Sequence, residues 1–387
     1  MNSAKQKDTN YTQIERFGSG IKQNTTNGTT SLVVQNHHCA QKESRHFSHA
    51  FWFRCAQVAL ALTVAKPAFA ASGLYVGDSD ETTVTSQITA TATTFNKTGS
   101  GVAIIAPSVN TNSITQPVHV QAGVLQLNDT QAKIFGSVSG TANAPTITIY
   151  DGATLASGFD NTGNGITLSN PIVIGPGGLR TGTITGLGYN GSGAQNVDPY
   201  PIVLTGGISQ PANNSGNSLT IAGGSSVTLS CDNTAVNPLT GSITVNDSTT
   251  LNLNHANAIP SASFSVVLGS YSELYAAADN THSPAITLNN SNATLGASSA
   301  KILTASLGAS AGNYALTVGS NGKTGTVALS DSRTSVTAGV TVEFGLLKYS
   351  TPPTTGTYTI TVNSGAAVQV LGNATITNPL VFVDPIG

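Results

Sequence analysis

"SITVNDSTTLNLN", residues Ser242 to Asn254, decides the fold. Ile243, Val245, Leu251 and Leu253 alternate with Thr and Asn. That period of two places all four apolar side chains on one face of two short strands. Between the pairs stand Asn246, Asp247 and Ser248, which favour turns. A strand this short cannot hide its apolar face alone. Coiled and stacked on copies of itself, it can.

Copies exist. "TITIYDGATLASG" begins at Thr146, "SLTIAGGSSVTLS" at Ser218, "AITLNNSNATLGA" at Ala285 and "TITVNSGAAVQVL" at Thr359. Looser versions start at Val124 and Thr326. Their first apolar positions are Leu125, Ile147, Leu219, Ile243, Ile286, Val327 and Ile360, at steps of 22, 72, 24, 43, 41 and 33. Most steps are multiples of about 20–24, within the range of solenoid repeats. The step of 33 implies coils of unequal length or an inserted loop. Asn128, Asn246, Asn289 and Asn363 occupy equivalent turn positions and are expected to stack as hydrogen-bonded ladders. The fold expected is all-β, a parallel β-helix. A β-sandwich array is the competitor, but the chain shows neither a domain-length period nor a Trp core beyond residue 70.

Composition narrows the function classes. Charged residues make up 8% of the 387 residues, against about 25% in an ordinary domain. Residues 1–70 carry eight Lys and Arg against three acids, whereas residues 71–387 carry seven against fourteen. A mildly acidic body argues against nucleic acid, which requires a clustered basic footprint. It argues equally against a polybasic membrane contact. Cys231 is the one Cys beyond residue 70, so no disulfide framework is expected there, and it reads as a small core residue.

"FRCAQVALALTVAKPAFAASG", residues 53–73, has the order of a secretory signal. Arg54 precedes an apolar run from Cys55 to Ala65, and Ala68-Phe69-Ala70 forms a small-x-small cleavage site. The run is too short to span a bilayer. Residues 1–70, a polar prefix plus this signal, are therefore expected to be removed, leaving residues 71–387 as the repeat region.

"GITLSNPIVIGPGG" (from Gly165), "YPIVLTGGISQ" (from Tyr200) and "SLTIAGGSSVTLS" resemble the strand repeats of bacterial autotransporter passenger domains. The resemblance covers roughly residues 120–387. It implies a right-handed parallel β-helix, secreted by a Gram-negative bacterium and displayed at the cell surface as a stalk or adhesin. Host or bacterial glycans, or other copies of the chain, are the implied partners. Autotransporters end in a translocator β-barrel, and no late segment here has barrel strands of about ten alternating residues. "TITIYDGATLASGFDNTGNGITLSNPIVIGPGG" (146–178) and "TITVNSGAAVQVLGNATITNPLVFVDPIG" (359–387) share one plan: two strands, then Thr, Asn-Pro and an apolar strand. The second copy stops where the first continues, so the chain reads as part of a longer surface protein, without its membrane domain; a non-functional fragment of such a protein is the further alternative.

Candidate catalytic motifs are weak. "GASAG", Gly308 to Gly312, matches a nucleophile elbow but precedes an alternating stretch instead of the required helix. "VGDSD" offers Ser79, with Asp279 and His282 as distant partners, in a chain without the helices of a GDS esterase. "VGSNGKTG" ends like a phosphate-binding loop, but Thr317 replaces its first Gly and no helix follows. His119, His255 and His282 lack metal-ligand spacing. "GPGGLRTG" lacks the Asp of calcium-binding repeats. Asp151, Asp232, Asp247 and Asp331 fall near turns of different coils. Aligned on one face they would suit a polysaccharide hydrolase or lyase; as solvated turn residues they carry no chemistry. The sequence thus points to no enzyme, cofactor or metal.

Overall fold

The computed structural model describes residues 73–383, apart from 78–79, 85–92, 107–113, 129–143, 159–164, 187–199, 235, 263, 290–291, 308–313, 331–335, 337, 351–357 and 373–374. Backbone strands alone are given at 12–16, 19–26, 29–36, 69–70 and 88–89. The signal region 54–68 lies outside the described residues.

Period-two alternation becomes short parallel strands stacked as a β-solenoid. Ser242–Val245 and Thr250–Leu253 each bury alternate residues. Ile243, Val245, Leu251 and Leu253 are at most 2% exposed, as their spacing requires. Each ladder joins equivalent residues of successive coils. Leu219 stacks on Ile243, Ile243 on Val266, and Val266 on Ile286. On a second wall, Val227, Leu251, Leu274 and Leu295 do the same. At about 4.8 Å between strands, these columns form one apolar core along the rod.

Three sheets of 9, 13 and 10 strands build the walls. The 13-stranded sheet runs from Glu81–Val84 to Ala367–Val370. The 9-stranded sheet ends at Ile208–Ser209, and the 10-stranded sheet begins at Ile166–Leu168. Between residues 147 and 229, therefore, a coil carries three strands. Beyond Ser209 the first wall continues without strands, and Leu239, Ala258 and Ile259 keep it apolar inside.

Buried amides hold this strandless wall. Asn233 Oδ1 accepts the Ile208 N–H at 2.8 Å, while its Nδ2 donates to the Ala258 carbonyl at 2.8 Å. The side chain thereby stands in for a peptide between one coil and the next. Asn280 pairs with both backbone groups of Thr304, at 2.7 and 2.8 Å. Asn217 bridges the Arg180 N–H and the Ile174 carbonyl. These differ from the Asn residues expected to ladder. Asn246 and Asn289 donate their backbone N–H groups to the previous coil. Register places Gly269 between them, so no Asn stack is continuous there. The amides that matter are those where strand pairing stops, because a buried N–H or C=O must find a partner.

The repeat register also differs from the sequence alignment. Leu125 stacks on Leu155, 30 positions on, and not on Ile147, which belongs to another wall. The step of 33 from Val327 to Ile360 likewise compares two walls. No inserted loop is needed to explain it. The ladder itself shifts at Ile302–Leu307: Ser306 and Leu307 pair with the preceding coil, Ile302 to Ala305 with the following one. The two Asn-Pro segments each close a coil, but on different walls: the first in the 9-stranded sheet, the second in the 10-stranded sheet. Ile172 stacks on Ile147, and Leu380 on Ile360. Pro171 and Pro379 each precede a strand, where only their carbonyls are used, accepting from Ile147 and Ile360 at 2.9 Å.

The prefix, read from sequence as patternless, contains strands Thr12–Arg16, Ser19–Thr26 and Thr29–Asn36, paired antiparallel. Asn27-Gly28, a favoured two-residue hairpin pair, separates the last two. Thr29–Asn36 lies parallel beside Gly73–Val76.

Among the described residues one charge is buried in the core. Lys97 is fully covered, and its Nζ donates to the carbonyls of Gly99 (2.6 Å), Ala122 (2.8 Å) and Thr98 (3.2 Å). Three backbone acceptors replace water around the ammonium. Burial lowers its pKa to about 8.

Candidate functional site

The described carboxylates among those singled out by sequence do not converge. Each accepts from turn backbone, its own or that of the next coil. Asp151 Oδ1 accepts the Thr181 N–H at 2.9 Å and Oδ2 faces Arg180 at 3.4 Å. Asp247 accepts the Ser270 N–H at 2.8 Å. Asp279 accepts the Ile302 N–H at 2.8 Å and pairs with Lys301 at 3.5 Å. Asp232 accepts the Thr234 hydroxyl at 2.6 Å, the Asn257 amide at 2.8 Å and the Thr234 N–H at 2.9 Å. These bonds, the Thr234 hydroxyl first, hold its carboxyl down at about 2. Asp331 lies outside the described residues, as do Ser79 and Gly308 to Gly312.

The histidines are equally separate. His119 lies 5.8 Å from the Tyr150 ring, and burial lowers its pKa. His255 Nδ1 accepts the Asn257 N–H at 3.1 Å. The His282 carbonyl accepts from Asn280. Among the described residues no three His, Cys, Asp or Glu group together as metal ligands would. Cys231 is buried with Sγ 3.3 Å from Asn233 Oδ1, and burial pushes its thiol up to about 12. A thiol held protonated is a poor nucleophile. Thr317 sits inside strand Ala315–Val318, so "VGSNGKTG" starts as a strand and closes as a turn.

A cluster that sequence reasoning missed lies on the outer face of the 10-stranded sheet. Glu273 and Tyr275 project outward from Glu273–Ala276, whose Leu274 and Ala276 point inward. The turn between Ser320 and Lys323 folds over them. Lys323 Nζ meets Glu273 Oε2 and stands 4.5 Å from the centre of the Tyr275 ring. Ser320 Oγ bonds Glu273 Oε1 at 3.2 Å, and Tyr275 Oη meets Ser298 Oγ at 2.5 Å. Gly296, stacked beside Tyr275, makes room. A Cβ there would stand 3.3 Å from Glu273 Oε1 and 3.4 Å from Tyr275 Cδ2. The group is a latch: it ties a turn to a strand 50 residues earlier, with its charges paired internally. Glu-x-Tyr on one strand face was the available signal; the partner turn is two coils away and invisible to spacing.

Around these features the outer walls carry columns of hydroxyls and amides. Thr181 pairs with Ser218, Ser218 with Ser242, and Ser242 with Ser265. Thr294, Thr317, Thr341 and Thr361 form another column. Asn252 donates to Thr228 at 3.2 Å and Asn254 to Ser230 at 3.1 Å.

No family model, curated protein or solved structure matches the chain. The solenoid and its repeats therefore stand on the chain's own geometry.

Proposed function

We propose that this protein is a non-enzymatic β-solenoid of the autotransporter passenger type, exported to the cell surface of a Gram-negative bacterium as a stalk with adhesive sides. One observation carries the reading. The rod's outer walls repeat hydroxyls and amides coil after coil, while the described carboxylates from turns are spent on neighbouring backbone. A surface of this kind binds through many weak, equivalent contacts, and avidity multiplies them. Glycan hydroxyls, or the same columns on another copy, offer matching donors and acceptors. The acidic balance of residues 71–387 disfavours nucleic acid. Among the described residues no helix is long and apolar enough to cross a membrane.

The test is expression in a Gram-negative host, N-terminal sequencing and protease shaving of intact cells. The expected product starts at Ala71 and is cleaved on intact cells. Retention of residues 1–70 in a cytoplasmic product refutes the export reading. Purified protein is then offered immobilised polysaccharides, with retention that strengthens as the matrix density rises.

A second reading, a polysaccharide-cleaving β-helix, would centre on Glu273, Tyr275 and Lys323, the group with a carboxylate, phenol and amine together. Release of shortened chains from an acidic polysaccharide, abolished by Glu273→Gln, would establish it.

A further inference from the structure

The latch turn also contains Asn321-Gly322, and we propose that it is a site of spontaneous succinimide formation that releases the latch. Asn321 and Gly322 are exposed at the tip, between Ser320 and Lys323. Gly322 has a left-handed φ of 78°, and a Cβ built on it would meet nothing within 4 Å. Its N–H has no acceptor among the described residues. The contrast is Asp151-Gly152, also at an exposed turn. There the Gly152 N–H is held by the Thr181 carbonyl at 3.0 Å, and the Asp151 carboxylate is held by the Thr181 N–H. At Asn321-Gly322 both nucleophile and electrophile are open.

The reaction needs only water. The Gly322 amide nitrogen loses its proton and attacks Asn321 Cγ. A Cγ–N bond forms, the Cγ–Nδ2 bond breaks, and Nδ2 leaves as ammonia. Water then opens the five-membered ring at either carbonyl, leaving aspartate or isoaspartate. Isoaspartate carries the main chain through the β-carbon, adding one methylene between residues 321 and 322. That change falls inside the Lys323 N–H to Ser320 carbonyl bond of 2.8 Å that closes the turn. It also adds a carboxylate next to the Lys323–Glu273 pair. Lys323 is then drawn off Glu273 and the Tyr275 face.

The experiment ages the full chain in mildly alkaline buffer and follows the tryptic peptide Ile302 to Lys323 by mass and retention. Asn313 in the same peptide is the internal control. The expected result is conversion at Asn321 at least about tenfold faster than at Asn313, a difference worth about one factor of ten in rate. Asn321→Gln abolishes it, because the ring would need six members. Equal rates at the two positions overturn the site. A second readout tests release: acetylation of the Lys323 amine by an activated ester. Labelling rises several-fold in aged wild type relative to fresh protein and to aged Asn321→Gln. Unchanged labelling after full conversion overturns the coupling between the chemistry and the latch.

Discussion

Lys97 makes the stability of the solenoid rise with pH over a narrow window. Its folded pKa is about 8, below its ordinary 10.5. Between those values the unfolded chain binds a proton that the folded chain does not. Stability then increases with pH at up to about 1.4 kcal/mol per unit. The carbonyls of Gly99 and Ala122 favour the charged form and oppose the burial effect. Allowing for them and for residual screening, the gain from pH 8 to 9 is about 1 kcal/mol. Cys231 acts in the other direction. Its thiol titrates near 12 when folded against 9.0 ordinarily, so stability is lost once pH passes 9. Burial also raises Tyr349 and Tyr358 above their ordinary 10.0, adding a further loss above that pH. The curve should climb from 8, level off past 9 and fall above 10. Urea midpoints by circular dichroism, at closely spaced pH values, measure it. Lys97→Met should flatten the climb without removing the later fall. No climb in the wild type, or the same climb in Lys97→Met, refutes the assignment.

Other perturbations follow from the same contacts. Asn233→Ala leaves the Ile208 N–H and the Ala258 carbonyl unpaired inside the wall; a loss of about 2–5 kcal/mol is expected in denaturant unfolding. Gly182→Ala places a Cβ 2.9 Å from both Ile149 Cγ2 and Ile174 Cδ1, so overpacking should cost about 1–3 kcal/mol by the same assay. Lys323→Met strands Glu273, whose side chain is 13% exposed; it should destabilise by about 1–3 kcal/mol, and a Glu273→Gln partner change should recover part of that in a double-mutant cycle. Asp232 is depressed to about 2, so its contribution is present above its ordinary 3.8 and lost as pH falls toward 2. Acid unfolding of Asp232→Asn should show a shallower limb across that range.

Much of the solenoid was legible because its cause is local. Alternating Ile243, Val245, Leu251 and Leu253 must face one side whatever the rest of the chain does. The shared plan of the two Asn-Pro units was legible as a pattern, but not that the strands after Pro171 and Pro379 lie on different walls, stacked on Ile147 and on Ile360. The strands of the polar prefix were not read, although Asn27-Gly28, a pair that favours two-residue hairpin turns, stands between Thr26 and Thr29. The core Cys231 followed from its isolation and is buried as expected.

What the sequence by itself determined is the period-two pattern, and with it short strands, a one-sided core and stacking. Which wall each strand joins was decided only in three dimensions. Leu125 and Ile147 look equivalent, yet coil lengths vary and Leu125 stacks on Leu155. Ladder partners stand at unequal distances in the chain, such as Thr326 with Leu346 and Thr181 with Ser218, and spacing alone does not rank such pairings. The same distance hid Asn233, Asn280, the carbonyl cage of Lys97 and the Glu273–Lys323 latch. The amides and the cage satisfy polar groups where regular pairing ends, while the latch joins a paired strand to a turn two coils on; all of these places exist only once the coils are stacked.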